Sequence, residues 1–542
     1  MKQYTLGLDF GTLSVRALFL DLNTGEEAVV TEYSYPHGVM TECLPDGTKL
    51  PPDFALEHPR DFLDGLTAVV REGMAKLGLR PEQVVGIGLD VTSATVLPVD
   101  EAGEPLCFRP EFSGRPQAWM KLWKHHGAGE MAQRLLAAAT ELNEPWLPYC
   151  GGSISSELFI PKAIELAVKD PEVFNRTYNL LEAADWLTWK LTGRMVRSIS
   201  MAGCNSMYRM DTGYPSKACC MKAYPEAENV PDKLKGEMLP LGSCAGGLQP
   251  EMAKKLGLRP GTPVGVGHID SHVGAIGCGA SKEGDMVAVI GTSACCLLNA
   301  RDGSGIEGIY SAAQDANIPG LFGYEGGQNC VGDMFAWFVD NCVGMACYQA
   351  AQGEGKNIYT YLEEKAAALK PGESGLLALD WFNGVRSPLM DYSLTGAIAG
   401  LTIRTRPEEI YRALLESVAF GCKRIMDAFT QAGKPVVRII AGGGIPMKNR
   451  LLMQIYADVC DRDIYLCTSK QSCALGSALL GAAAARRGTL PELIDQYVKR
   501  PEKVYHPIGE NVRRYQALYT QYCRLSEQMA ESGSVMRALR TQ

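Results

Sequence analysis

The sequence predicts an α/β protein made of two related halves, and three observations carry that expectation. The chain has 542 residues, too many for one ordinary hydrophobic core. A strand, a Gly-Thr turn and a second strand occur twice, as LGLDFGTLSVRALFLD at 6–21 and as DMVAVIGTSACCLLNA at 285–300. Downstream, apolar runs of strand length alternate with amphipathic segments of helix length, the pattern of sheets covered by helices. A cleft between two such halves is the natural place for a ligand.

Taken in order, residues 4–35 read as a three-stranded meander, with Gly-Thr and Asn-Thr-Gly as its turns. From Pro59 to about Leu77, Phe62, Leu66, Val69, Val70, Met74 and Leu77 recur at helical spacing. VVGIGLDVTS (84–93) then reads as a buried strand ending on Asp90. Helices are expected at PQAWMKLWKHH, ISSELFIPKAIELAVKD and EAADWLTWKLTG, and residues 204–260 read as surface excursions before the strand TPVGVGHID. TRPEEIYRALLESVAFGCKRIMDAF carries a capping box from Thr405 to Glu408 and one apolar face, so a long half-buried helix is expected. VVRIIAGGG follows, then helix, strand, and the Ala-rich helix ALGSALLGAAAARRG, which can pack tightly against its neighbours. Past Pro501 one helical segment has two readings, packing on the core or joining a homodimer, and the sequence leaves both open.

Composition narrows the function classes. Apolar residues make up 46% and charged residues 21%, an ordinary globular balance, and the net charge of −8 is spread along the chain. There is no Lys/Arg run for nucleic acid or anionic lipid, and apolar stretches break well before about 18 residues, so neither nucleic-acid nor membrane partners are expected. The opening MKQYTLGLDFG lacks a basic and then apolar leader, so the 18 cysteines read as reduced cytoplasmic thiols.

DFGTLS (9–14) sets Asp9 at a strand end before a tight turn. Bare amides with the Thr12 or Ser14 hydroxyl can hold phosphate oxygens there, and Asp9 can hold Mg²⁺ through water. Thr292 and Ser293 repeat the arrangement, so one phosphate chain approached by two hairpins accounts for both. In AGGGIPMKN, Gly443 and Gly444, with Asn449 beyond them, leave room for a base or ribose. GHIDSHVGAIG (267–277) packs His268 and His272 around Asp270, which admits three readings: a metal site, a helix cap, or a base that accepts a proton.

The ordered series GLDFGTLSVRAL, GLDVTSATVLPVD, LWKHH, GGSISSE, EAADWLTWKLTG, GYEGGQNCVGDMFAWFV, LDWFNGVRSPLMD and GGGIPMKNRLLMQIYADV resembles the FGGY carbohydrate kinases from the first strand to about Arg487. The resemblance implies two RNase H-like domains of the actin, hexokinase and heat-shock ATPase type, with ATP and sugar in the cleft between them. It implies an N-terminal domain over 1–264, a C-terminal, mainly nucleotide-binding domain over 265–490, and a helical extension over 491–542. It makes Asp270 the general base and implies sugar contacts at Asp90, Ala94 and Glu325. The implied reaction is ATP-dependent and Mg²⁺-assisted phosphorylation of a ketopentose at its terminal hydroxyl, with L-ribulose first. The family branch acting on that sugar carries Ala-Gly-His-Lys-Ala-Met-Trp where this chain reads AGCNSMY, so Asn205 takes the place of a sugar-contacting lysine. Tyr208 and Leu158 also stand where that branch has Trp. These departures cluster on the sugar side, which keeps another ketose, a pentitol, or a non-catalytic sugar sensor as alternatives. A heat-shock-type ATPase would need a β-rich peptide-binding segment that the chain lacks after its nucleotide half.

Overall fold

The computed structural model describes residues 2–501 and 503–540. The meander forms as β1 (Tyr4–Phe10), β2 (Ser14–Asp21) and β3 (Glu27–Ser34), all antiparallel. Helix α1 (Pro59–Leu77) starts with Pro59 in its first turn and stops at Gly78, which takes φ 60°. Its Phe62, Leu66, Val69 and Val70 pack on Leu6, Leu8, Phe10, Ala17 and Phe19 of one sheet face. The chain then returns as β4 (Val84–Val91), parallel to β1, with Asp9 beside Asp90. Strands β5 (Cys244–Gly247), β6 (Pro263–Gly265) and β7 (His268–Ile269) complete the sheet in the order β5-β6-β4-β1-β2-β3, with β7 pairing on β4 beyond β6. Backbone pairing thus keeps the chain in the first sheet through Ile269, past residue 264.

The second half opens with α2 (Asp270–Gly277) and repeats the plan. Strands β8 (Asp285–Ile290) and β9 (Ala294–Ala300) form an antiparallel hairpin, followed by β10 (Ser311–Gln314) and β11 (Phe322–Gln328). After α3 (Pro407–Gln431), β12 (Arg438–Gly442) lies parallel to β8, as β4 does to β1. Then come α4 (Arg450–Cys460), β13 (Ile464–Leu466), α5 (Ser472–Ala484), β14 (Val504–Tyr505) and α6 (Gly509–Ala530), and the second sheet runs β10-β11-β9-β8-β12-β13-β14. Helix α6 packs on the core: Tyr515 and Tyr522 are buried, donating to Glu416 (2.9 Å) and Asp380 (2.6 Å).

Two local expectations shift. The capping carboxylate of α3 is Glu409, accepting from the Arg406 amide at 2.7 Å, because Pro407 takes the first helical position; Thr405 instead accepts from the Thr402 amide. PQAWMKLWKHH is no helix: after one 3₁₀ turn at Pro116–Ala118, Met120–Lys121 pairs as a strand with Leu56–Glu57. Trp119 and Met120 are both buried but in different clusters, which a strand's alternating faces permit. That strand belongs to a side module whose sheet also contains Val96–Val99 and Asn179–Glu182, backed by the helices Gly129–Leu142 and Phe159–Lys169.

The two halves are locked by α5, which leaves the second sheet and lies on the first. It covers the sheet face opposite α1, with Ala474, Ala478 and Leu479 against Leu18 and Leu20, while α2 packs on it from the side through Val273 and Ile276. Contact is at backbone distance because Gly7, Gly86 and Gly88 face the carbonyls of Ala474, Gly481 and Ser477. A methyl group at Gly88 would strike the Ser477 carbonyl, and neither backbone can yield alone. Gly88→Ala is therefore expected to destabilise the protein by about 1–3 kcal/mol in urea titration, as overpacking does. Gly129→Ala, with open space around its Cβ, should cost little.

Candidate active site

The sheet geometry brings three carboxylates together. Gly7 and Asp9 on β1, and Gly86, Gly88 and Asp90 on β4, alternate onto the face that α5 covers. Asp9 and Asp90 are cross-strand neighbours, His268 on β7 pairs with Asp90, and the next turn of chain places Asp270 at the start of α2. Three adjoining strand ends thus each deliver an aspartate to one spot, where the amino end of α5 arrives with Ser472 and Cys473 against α2.

The three are not equivalent. Asp90 has no exposed surface; its Oδ2 accepts from Ser477 at 2.6 Å, Oδ1 lacks a partner among the described hydrogen bonds, and burial plus the neighbouring Asp9 hold its pKa well above the ordinary range. Its strand position faces α5 and leaves it no open surface for the sugar contact that the resemblance implied. Asp9 is raised by burial, an effect opposed by the neighbouring Asp90 carboxyl and by Arg16, 3.6 Å away. Asp270 is half-buried, accepts from the Ser271 amide at 2.7 Å, and is pushed up to about 7, by burial first and Asp9 second. It can exchange a proton near neutrality.

The flanking histidines take other work. The strand ends at Ile269 and the helix begins at Asp270, so His268, Asp270 and His272 share no strand face. His268 donates through Nε2 to the Ala316 carbonyl at 2.6 Å, and burial presses its pKa to about 3. His272 Nδ1 meets Asn317 Oδ1 at 2.6 Å, and its Nε2 stands 3.5 Å from Glu325 and 3.7 Å from the Cys204 thiol. Burial opposes the His272 charge, but Cys204 and Glu325 outweigh it and its pKa is raised well above the usual value.

Glu325, on β11, reaches the same space from the second half. It is held between Arg386 at 3.1 Å and His272; burial would raise it, yet these two cations bring it to about 2, so it stays ionised. Arg386 stacks on the Tyr310 ring at 4.7 Å. On the first-half side, the turn after β4 carries Ala94 with φ 47°. Asn205, at the end of the helix Ile199–Asn205, is buried: its amide donates to Glu182 at 3.0 Å and its oxygen accepts from Ser93 at 2.8 Å. Burial pushes Glu182 up to about 8.

The two Gly-Thr corners are built alike, the first one residue longer than the second. Gly11 donates to the Ser14 carbonyl at 3.0 Å and Gly291 to the Ser293 carbonyl at 2.8 Å, each closing a hairpin at the carboxyl end of the strand that precedes it. Thr292 and Ser293 are exposed; Thr12 is half-buried and accepts from the Trp123 indole at 3.2 Å; Ser14 commits its proton to Glu32 at 2.8 Å. Gly443 takes φ 94° beside the Ile290 carbonyl, where no Cβ fits, while Gly444 faces open space. Asn449 is buried as the cap of α4, its Oδ1 accepting from the Leu452 amide at 2.8 Å and its amide 3.4 Å from the Tyr411 hydroxyl. That fixes the loop's exit rather than offering a side chain to the cleft.

Residues the sequence left unassigned complete the site: Ser477 on Asp90, Arg386 and His272 on Glu325, Trp123 on Thr12, and Lys162, whose enclosed ammonium donates to the Ala94 and Leu122 carbonyls at 2.8 Å each. Arg386 sits in the quoted LDWFNGVRSPLMD segment, but its partner is 61 residues away.

Comparison with known proteins gives matches across the chain. The model of the FGGY family of carbohydrate kinases, N-terminal domain, matches residues 4–277, and that of the C-terminal domain matches 286–485. A ribulokinase of Anoxybacillus flavithermus is 45% identical over 99% of this chain and 97% of its own length, and one of Geobacillus thermodenitrificans is 44% identical with the same coverage. The fold is shared with a xylulose kinase of Rhodospirillum rubrum, at TM-score 0.81 and 21% identity over the whole of both chains. It is also shared with a gluconate kinase of Lactobacillus acidophilus, at 0.80 and 19% over 98% and 99%. Among the described residues no helix is long and apolar enough to cross a membrane, and all 18 cysteines are free.

A base with a pKa near 7 makes a pH signature. Below that value Asp270 is protonated and cannot accept a proton, so sugar kcat/KM should fall about tenfold per pH unit below about 7 and level off above it. Asp270→Asn should abolish transfer while nucleotide affinity, by calorimetry, stays within about twofold.

Proposed function

The chain belongs to the FGGY family of carbohydrate kinases, and on that footing we propose that it transfers the γ-phosphate of ATP to the terminal hydroxyl of a ketopentose, L-ribulose before others, with Asp270 as general base. The observation that carries the chemistry is the delivery of Asp9, Asp90 and Asp270 to one spot by three adjoining strand ends, with only Asp270 both open to the cleft and poised near neutral pH. The sugar follows from relatives called ribulokinase, 41–45% identical over nearly their whole length.

In this reading the sugar lies between the Ala94 turn and Glu325. Ionised Glu325, fixed by Arg386 and His272, accepts hydrogen bonds from two hydroxyls and sets the terminal one against Asp270. As the sugar oxygen bonds to phosphorus and the bond to ADP breaks, Asp270 takes the hydroxyl proton late in a loose transition state. Backbone amides of the two Gly-Thr corners, with Thr12, Thr292 and Ser293, orient the phosphates. The unbalanced carboxylates suit a hard divalent cation: Asp9 would hold Mg²⁺, which when bound neutralises phosphate charge. Asp90, being enclosed, acts through Asp9 rather than on the sugar. Gly443 and Gly444 give the base and ribose a bare backbone wall. Eighteen unpaired thiols accord with a cytoplasmic place of action.

The test is a coupled ADP assay over ketopentoses, pentitols and ketohexoses, with wild type and Asn205→Lys. L-ribulose should give the highest kcat/KM, and the variant should reorder the sugars while leaving the ATP KM within about twofold. L-ribulose among the poorest substrates would remove the assigned sugar, and sugar binding without ADP release would point to a sensor.

A further inference from the structure

We propose that Lys162 is a positioning residue for sugar binding: from inside the side module it holds the turn Thr92–Thr95 in its left-handed form at the buried Ala94, which sets the half-buried Ser93 outward. The proposal rests on the reading of this turn as a wall of the sugar site.

The turn joins β4, which carries Asp90, to the strand Val96–Val99, so its shape decides how the chain crosses the end of the first sheet. Ala94 adopts φ 47°, where a side chain crowds its own backbone and glycine is the usual occupant. An unfavourable conformation of this kind persists only where its surroundings dictate it. Three straps do so. The turn's own hydroxyls form the first: Thr95 Oγ1 donates to the Thr92 carbonyl at 3.0 Å and lies 2.9 Å from Thr92 Oγ1. The second runs outward, from the Ser93 hydroxyl to Asn205 and on to Glu182. The third is Lys162, on the helix Phe159–Lys169, whose Nζ bonds the Ala94 carbonyl itself and ties it to the Leu122 carbonyl, one residue before the Trp123 that touches Thr12.

Lys162 has no exposed surface, and enclosing an ammonium is costly unless its donors are met. Here two are met by carbonyls outside the regular strand ladder, one of them belonging to the residue under strain. The helix offers a further charged side chain, Glu165, but it is spent on His125 at 2.8 Å and Lys121 at 3.8 Å. Of the side chains described on this turn, Lys162 alone bonds the Ala94 carbonyl.

Lys162→Met keeps the stem and removes the strap. Against a wild type active on L-ribulose, it should raise the sugar KM about tenfold and leave the ATP KM within about twofold. Adding Ala94→Gly, which tolerates the left-handed form unaided, should recover about threefold of that loss. A folded Lys162→Met with unchanged sugar KM, or with sugar and ATP KM raised together and no recovery in the double variant, overturns the proposal. If Lys162→Met does not fold, Lys162→Gln keeps a polar donor on a shorter stem that draws it back from the Ala94 carbonyl. It should raise the sugar KM about threefold with the ATP KM unchanged, and an unchanged sugar KM again overturns the proposal. A wild type inactive on every sugar would instead remove the reading of the site on which this rests.

Discussion

The arrangement of the three aspartates depends on how closely α5 approaches strands β1 and β4. The face of the first sheet that receives Asp9 and Asp90 is the face this helix covers, and glycines at 7, 86 and 88 let backbone meet backbone there. The helix follows β13 of the second sheet, so the contact is also the joint between the halves. Its Ser477 reaches past Gly88 to the enclosed Asp90, and Gly476 and Gly277 allow equally close passage against α2. One set of small residues therefore fixes both the depth at which the aspartates sit and the angle at which the second half meets them.

That packing creates an electrostatic problem with a functional use. Carboxyl groups buried together on neighbouring strand ends are hard to ionise, and the protein relieves each differently: Ser477 for Asp90, Asp90 and Arg16 for Asp9, and a backbone amide with His272 for Asp270. The most open of the three, raised only to about 7, is the one suited to exchange a proton. Across the cleft the opposite choice is made, since Glu325 receives both Arg386 and His272 and stays charged. A carboxyl group that exchanges its proton near neutrality and a carboxylate that stays charged are obtained from the same functional group by environment alone.

Much of this was legible in the sequence, for physical reasons that can be named. Short-range signals survive without a structure: the helix from Pro59 to Leu77 has the spacing it shows, and the two Gly-Thr corners recur because each sheet contains an antiparallel hairpin turned at that dipeptide. Asp270 could be singled out, but not separated from a metal ligand until the strand was seen to end at Ile269. The resemblance implied a sugar contact at Asp90; its register against α5, set by residues nearly 400 positions away, encloses it. Asn449 looked like a nucleotide contact and is a helix cap. PQAWMKLWKHH failed as a helix because two successive large apolar residues serve different cores. Partners such as Arg386 for Glu325 and Lys162 for Ala94 leave no local mark.

In the proposed reaction the cleft moves a phosphoryl group onto a primary hydroxyl, with Asp270 as the acceptor of its proton. Phosphorus NMR of a reaction containing the enzyme, ATP, Mg²⁺ and L-ribulose reads that event directly. The account predicts a new phosphomonoester signal, split into a triplet by the two protons of the adjoining CH₂ and growing in step with ADP. A spectrum in which ATP loses phosphate only to the inorganic pool, or in which the new ester shows a doublet from a secondary carbon, would contradict it.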